Sequence, residues 1–297
     1  MAERISTSSV PLPPIRPERR ITLDVMGTVG DVARPLAPFE RMANITAVRR
    51  LFVLVVLAVA WEGYARWAGN SLLFPSLTET LQAFWEAAVD GPLIQRTLNS
   101  MRVLAAGYAI GLLLAAVFTT VAVSTRIGTD LLSTLTAMFN PLPAIALLPL
   151  ALLWFGLGAQ SLIFVIIHSV LWAVALNTHS GFTSVSQTLR MAGQNVGLRG
   201  LSYVILLLVP AAFPSILTGL KIGWAFAWRT LIAAELVFGA SSRSGGLGWF
   251  IFENRNQLEI PSVFAGLLTV ILIGLFVESV VFRSIENVTV KRWGMQS

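Results

Sequence analysis

The 297-residue chain has no cysteine, only two histidines, and charge on just 12% of its residues, where a soluble domain carries about a quarter. Each shortage excludes something. Without cysteine there are no disulfides, thiolate metal sites, iron–sulfur clusters or cysteine nucleophiles. His168 and His179 stand eleven positions apart, roughly 16 Å along a helix, too far to share a metal ion. With 55% hydrophobic residues and a mean hydropathy of +0.75, a water-soluble enzyme is excluded and the bilayer is the expected solvent. The net charge of +6 is not laid out as a basic stripe interleaved with aromatics, so no nucleic-acid partner is expected. No G-x-x-x-x-G-K-[ST] phosphate loop occurs; the chain is not expected to hydrolyse ATP, and no catalytic residue, metal site or cofactor of its own is expected.

What is present is a series of apolar runs. Residues 1–50 hold eight Arg, five acids and six Pro without apolar periodicity, which predicts a disordered cytoplasmic tail. The run Leu51 to Ala60 follows Arg49-Arg50 as a twin-arginine export signal would. It continues into Trp61, Glu62 and Tyr64 with no small-residue cleavage site, so it is read as an uncleaved first helix. Val103 to Val123 is uncharged, and Asp130 and Arg190 bracket 59 residues without a charge. That is too long for one span and suits two, joined at Phe155-Gly156-Leu157-Gly158. A fifth run covers Leu201 to Val237, interrupted by Lys221, Arg229 and Glu235, and a sixth covers Ile260 to Val277. The expected fold is all-α, with six transmembrane helices over residues 51–290 and a cytoplasmic C-terminus over 291–297. With the N-terminus inside, 14 of the 21 Lys and Arg fall on the cytoplasmic side, 4 outside and 3 within spans, so both termini are expected in the cytoplasm. Pro75 to Glu86 reads as an amphipathic helix on the outer surface behind a Ser/Thr cap.

The loop between spans four and five, residues 182–200, is the most informative. Val185, Leu189, Ala192 and Val196 recur at helical spacing, with Ser186, Gln187, Arg190, Gly193, Gln194 and Asn195 on the opposite face. A short helix, polar but weakly charged, suits docking into another protein. Among the intramembrane charges, Glu62 and Arg66 are spaced for a local ion pair. Arg229 and Glu235 lie about 240° apart around a helix and cannot pair with each other. Arg229, Glu235, Lys221 and His168 are the candidates for a substrate path. Arg102 is expected where span two opens, Glu278 as a bundle contact, and Trp249, Phe250 and Phe252 as an interfacial aromatic belt in the loop after Gly245.

Met191-Ala192-Gly193, three residues, Gly197, nine residues, then Leu207-Leu208-Val209-Pro210 resembles the signature loop of the inner-membrane permease subunits of ATP-binding-cassette importers. That pattern runs Glu-Ala-Ala, three residues, Gly, nine residues, Ile-x-Leu-Pro. The spacing is kept, while Met191 stands where the family has Glu. Asn140-Pro141-Leu142-Pro143, Leu148-Pro149-Leu150, Trp228-Arg229, Ala233-Ala234-Glu235 and Gly245-Gly246-Leu247-Gly248 resemble the nitrate/sulfonate/taurine/bicarbonate group. The resemblance implies a type I importer permease fold and a homodimer of this chain. It also implies two copies of a separate ATPase that binds ATP and Mg, and a periplasmic or lipid-anchored binding protein in a bacterial inner membrane. It implies import of a small organic or inorganic anion, with Val185, Leu189, Met191, Ala192, Gly193, Asn195, Gly197 and Pro210 forming the ATPase-coupling segment. The alternative is an ion-coupled secondary transporter or channel without an ATPase.

Overall fold

The computed structural model describes residues 44–238, 245–290 and 292; the expected tail over 1–43 and nearly all of 291–297 lie outside them. Every regular element among the described residues is helical. Two units divide the chain, residues 1–55 and 56–297. The first helix, α1 (Thr46–Ala68), runs across that division. Its start moves the expected tail boundary back from residue 50, because Arg49 and Arg50 are good helix formers and give no stop signal.

In the second unit, α2 (Leu77–Val89) and the long α3 (Leu93–Ser124) precede α4 (Arg126–Phe139), a 3-10 turn (Ala144–Leu147) and α5 (Leu148–Phe155). Next come α6 (Ala159–Ser184), α7 (Gln187–Asn195), α8 (Gly200–Tyr203), a π-helical turn (Val204–Leu208) and α9 (Val209–Phe238). The last elements are α10 (Leu247–Asn256), α11 (Ile260–Phe276), a second π turn (Val277–Phe282) and α12 (Arg283–Val288). Four stretches are long and apolar enough to cross a bilayer unbroken, and two bent pairs bring the number to six.

The third and fifth spans are bent. Residues 126–139 and 144–155 meet at 87°, where Pro141 and Pro143 contribute no N–H and each disfavours helix in the residue before it. Residues 200–211 and 213–237 meet at 79°. There the Val209 N–H reaches back five residues to the Val204 carbonyl, and Pro210 and Pro214 interrupt the ordinary ladder.

The core is α6, packed between α3 and α9. Helices without an aqueous driving force associate through close van der Waals fit, which favours small residues at the contact. A Cβ on Gly107 of α3 would stand 2.7 Å from Ile166 Cγ2, and one on Gly111 would stand 2.8 Å from Val170 Cβ. From the other side, Gly219 of α9 meets Asn177 as closely. Leu104, Ala115, Ile166, Val170, Ala227 and Leu231 complete this interior.

Ser76 caps α2, accepting from the Glu79 amide while the Glu79 carboxylate accepts from the Ser76 amide; this satisfies two amides left over at a helix start. Thr80, Phe84, Ala87 and Ala88 turn inward, and α2 packs on α11, while Leu81 and Trp85 stay exposed. Glu62 pairs with Arg66 at 2.7 Å, and it also accepts from the Thr78 amide and hydroxyl, so the pair fastens α1 to the start of α2.

Gly111→Leu is expected to destabilise the protein by about 1–3 kcal/mol or more, because the added volume has nowhere to go. Gly63→Ala, with nothing within 4 Å of the new methyl, is expected to be neutral or slightly stabilising. Thermal unfolding in detergent compares the two.

Candidate functional site

Between the fourth and fifth spans, α7 is built from its caps inward. Ser186 accepts from the Leu189 amide at the start. At the end, Gly197 adopts φ +85°, its amide donates to the Gln194 carbonyl, and the Leu198 amide donates to the Gly193 carbonyl. This paired closure requires a left-handed residue, which explains glycine at that position. The Arg190 guanidinium donates to the carbonyls of Phe182 and Val185, taking up acceptors left over at the C-terminus of α6. Gly193 is buried against Leu207, where any side chain would collide.

The face assignment made from periodicity is therefore reversed for two residues. Arg190 and Gly193, placed on the polar face, turn toward the protein. Leu189, Met191, Ala192 and Val196 are exposed, as is Asn195. Val185 is buried in a cluster with Phe182, Val204, Leu207, Leu208 and Ala212. The result is a mixed outward face, with Leu189, Met191, Ala192 and Val196 exposed beside Gln187, Thr188, Gln194 and Asn195, on a helix anchored to the end of α6 and the turn before α9.

A second feature lies at the break in the third span. A cavity of about 350 Å³ opens between the Asn140–Ile145 bend, α6 and α9. His168 and Trp172 line it one turn apart on α6, with Arg229 and Thr230 opposite on α9. Arg229 is exposed, rests over the Phe226 ring at 5.1 Å and donates from Nε to the Ala225 carbonyl. It pairs with no carboxylate among the described residues.

Residues 107–286, more than half of the chain, match the family described as binding-protein-dependent transport system inner membrane component. The chain belongs to this family. A protein named as an ABC transporter permease of Methanocaldococcus jannaschii is 30% identical over 235 residues, 78% of this chain and 87% of that one. A taurine transport system permease of Escherichia coli is 36% identical over 141 residues, 48% of this chain and 50% of that one. A nitrate import permease of Synechocystis is 27% identical over 250 residues, 81% and 89% of the two chains. The protein is thus a multi-pass transport permease of the inner membrane and not itself an enzyme.

The other charged residues of the permease have partners or lie elsewhere. Lys221 does not line the cavity; it meets Glu286 of α12 at 2.7 Å. Glu235 is 3% exposed, and it too lies away from the cavity. Its carboxylate accepts from the Ser100 hydroxyl at 2.8 Å and from the Gly248 amide at 2.7 Å, while Ser100 Oγ accepts from the Leu247 amide. Glu235 and Ser100 thereby cap the N-terminus of α10, where an anion is favoured by the helix dipole. A Cβ on Gly246 would strike that carboxylate, and one on Gly248 would come within 2.8 Å of the Ile232 carbonyl. The glycine run at 245–248 leaves room for this cap.

Three further expectations change. The segment after Gly246 is a helix, and Phe250 on it is buried, which leaves Trp249 and Phe252, stacked at 5.3 Å, to face outward. Arg102 lies well inside α3, because that helix starts earlier, at Leu93. Glu278 is exposed and makes no bundle contact of the kind expected.

Glu235→Ala is expected to lower stability by about 1–3 kcal/mol for each buried donor left without an acceptor. Ser100→Ala added to it should cost much less than Ser100→Ala alone. Detergent unfolding of the single and double variants measures that coupling.

Proposed function

We propose that this permease is the membrane subunit of an ATP-driven importer, with two copies pairing around a path for a small organic or inorganic anion such as a sulfonate, taurine, nitrate or bicarbonate. The observation that carries the reading is α7. Leu189, Met191, Ala192 and Val196 stay exposed among polar residues on its outer side while its inner side is clamped to the C-terminus of α6 and the start of α9. A separate ATPase, two copies per transporter and each binding ATP and Mg, docks on Leu189, Met191, Ala192, Asn195 and Val196. With Met191 in place of the family's acid, this contact rests on packing.

Closure of the ATPases pushes α7. Its anchors, Arg190 and Gly193 against Leu207, pass the displacement to α6 and through the Pro210 bend to α9, and two rigid helices then rock about interrupted backbone. A periplasmic or lipid-anchored binding protein delivers the solute on the far side, and both termini lie in the cytoplasm. The names of the taurine and nitrate relatives and the unpaired cation of Arg229 support an anionic cargo.

The deciding experiment is solute-stimulated ATP hydrolysis in liposomes holding the permease, its ATPase and its binding protein. Sulfonates, nitrate and bicarbonate are expected to stimulate, and uncharged heterocycles are not. Stimulation by uncharged solutes alone removes the anion. Accumulation by the permease without an ATPase moves the protein to the ion-coupled transporters. Leu189→Asp or Ala192→Tyr is expected to reduce ATPase co-purification at least about tenfold, the effect of losing about 1.4 kcal/mol, with the fold unchanged by circular dichroism.

A further inference from the structure

The cavity at the bend of the third span contains unused hydrogen-bonding capacity. Among the described residues neither ring nitrogen of His168 has a partner, and neither does Trp172 Nε1, although all three atoms are shielded from solvent. Buried polar atoms nearly always find partners, and a group without one marks a site for an absent ligand, water or ion. Trp172 is a donor only, and a neutral imidazole offers one donor and one acceptor. Across the cavity, Thr230 Oγ1 accepts from Ser169 at 3.0 Å, which leaves its own hydrogen to point elsewhere. Arg229 adds a planar guanidinium with no carboxylate among the described residues to neutralise it.

No Asp or Glu lines the cavity, so its one formal charge is positive. Asn140 and Ser169 add neutral polar groups, and the rest of the wall is aromatic and aliphatic. Phe139 stacks on Trp172 at 5.3 Å, and His168 sits edge-on to both rings. A volume of about 350 Å³ is roughly ten times the share of one water molecule, about 30 Å³. A bare inorganic anion would leave most of the space to water beside apolar walls.

We infer that this cavity is an intramembrane binding site for a small organic oxyanion of the sulfonate type. Its oxygens are taken by Arg229 and Thr230, with the shielded His168 and Trp172 nitrogens reached by a turn of their rings toward the cavity, and its hydrocarbon part lies against Phe139 and Phe226. The inference rests on the reading of the chain as an anion permease and names the residues that would hold the anion in transit. Bidentate guanidinium contact matches an oxyanion head, and dispersion against the rings selects the organic body.

The chain has no cysteine, so one introduced thiol is unique. Ala233→Cys and, separately, Ala144→Cys both line the cavity and are made in the assembled transporter. Their labelling rates are compared for a methanethiosulfonate reagent bearing an ethylsulfonate and one of equal length bearing an ethyltrimethylammonium. The anionic reagent is expected to react at least about tenfold faster, and butanesulfonate should slow it at least fivefold while nitrate slows it less. Arg229→Gln should abolish the preference, Arg229→Lys should keep part of it, and Trp172→Phe should weaken protection by butanesulfonate. Equal rates for the two reagents would indicate an Arg229 neutralised by an acid of the second copy, and would overturn the inference. So would a preference that survives Arg229→Gln, or a failure of both reagents to reach either thiol. Equal protection by nitrate and butanesulfonate would overturn the organic part. Labelling consumes no ATP, so a failure of ATPase coupling leaves this measurement intact.

Discussion

In a hydrocarbon solvent every peptide N–H and C=O must find its partner within the protein, and the rest of this structure depends on that constraint. Helices satisfy it wherever they run unbroken, so each break has to be made good by something specific. At the end of α6 the leftover carbonyls receive the Arg190 guanidinium. At the end of α7 they receive the amides of Gly197 and Leu198. At the start of α10 the leftover amides find Glu235 and Ser100. The bend at Asn140–Pro143 is tolerated in another way: two prolines remove donors that would otherwise need partners, and the exposed backbone borders a cavity. The candidate functional features all lie at these interruptions.

The same two helices connect those features. α6 carries His168 and Trp172 at the cavity and Phe182 at the anchor of α7. α9 leads from the Pro210 bend through Arg229 to Glu235. Glycines on both sides bring α3 and α9 against α6 closely enough that none of the three can slide without collision. Close-packed interiors transmit displacement as a rigid body. On the proposed reading, a push at α7 reaches the membrane through α6 and α9, the two helices that border the cavity.

Much of this was legible in the sequence and some of it was not. Charge-free length identified the spans, because the energetic cost of an ion in hydrocarbon acts on composition alone. The spacing from Met191 to Pro210 picked out the segment proposed to couple, and Gly197 stands where a left-handed cap is needed. Periodicity alone could not orient α7. Its inner face is made of a glycine and an arginine, which carry no apolar signal and are inside because one has no side chain and the other reaches backbone carbonyls. The 87° bend at Asn140 was hidden within a run apolar throughout, although Pro141 and Pro143 were the signal that could have found it. The Gly107 and Gly111 pair carried a four-residue spacing that a search for helix contacts would have caught. Ser100, which completes the cap on α10, had no signal at all, since its partner is 135 positions away.

The three charges within the fifth span show how the surroundings decide the role of a residue. Lys221, Arg229 and Glu235 carry the same kind of desolvation cost and lie on one helix, and sequence alone made all three equal candidates for a substrate path. Lys221 meets Glu286, which neutralises it. Glu235 meets the Gly248 amide at the start of α10 and the Ser100 hydroxyl, which convert a buried carboxylate into a helix cap. Arg229 meets an aromatic ring and one carbonyl, neither of which cancels its charge. An ion with no carboxylate partner among the described residues, beside a cavity, attracts an opposite charge from outside the chain, and that difference in surroundings sets Arg229 apart from two residues whose charge is already matched.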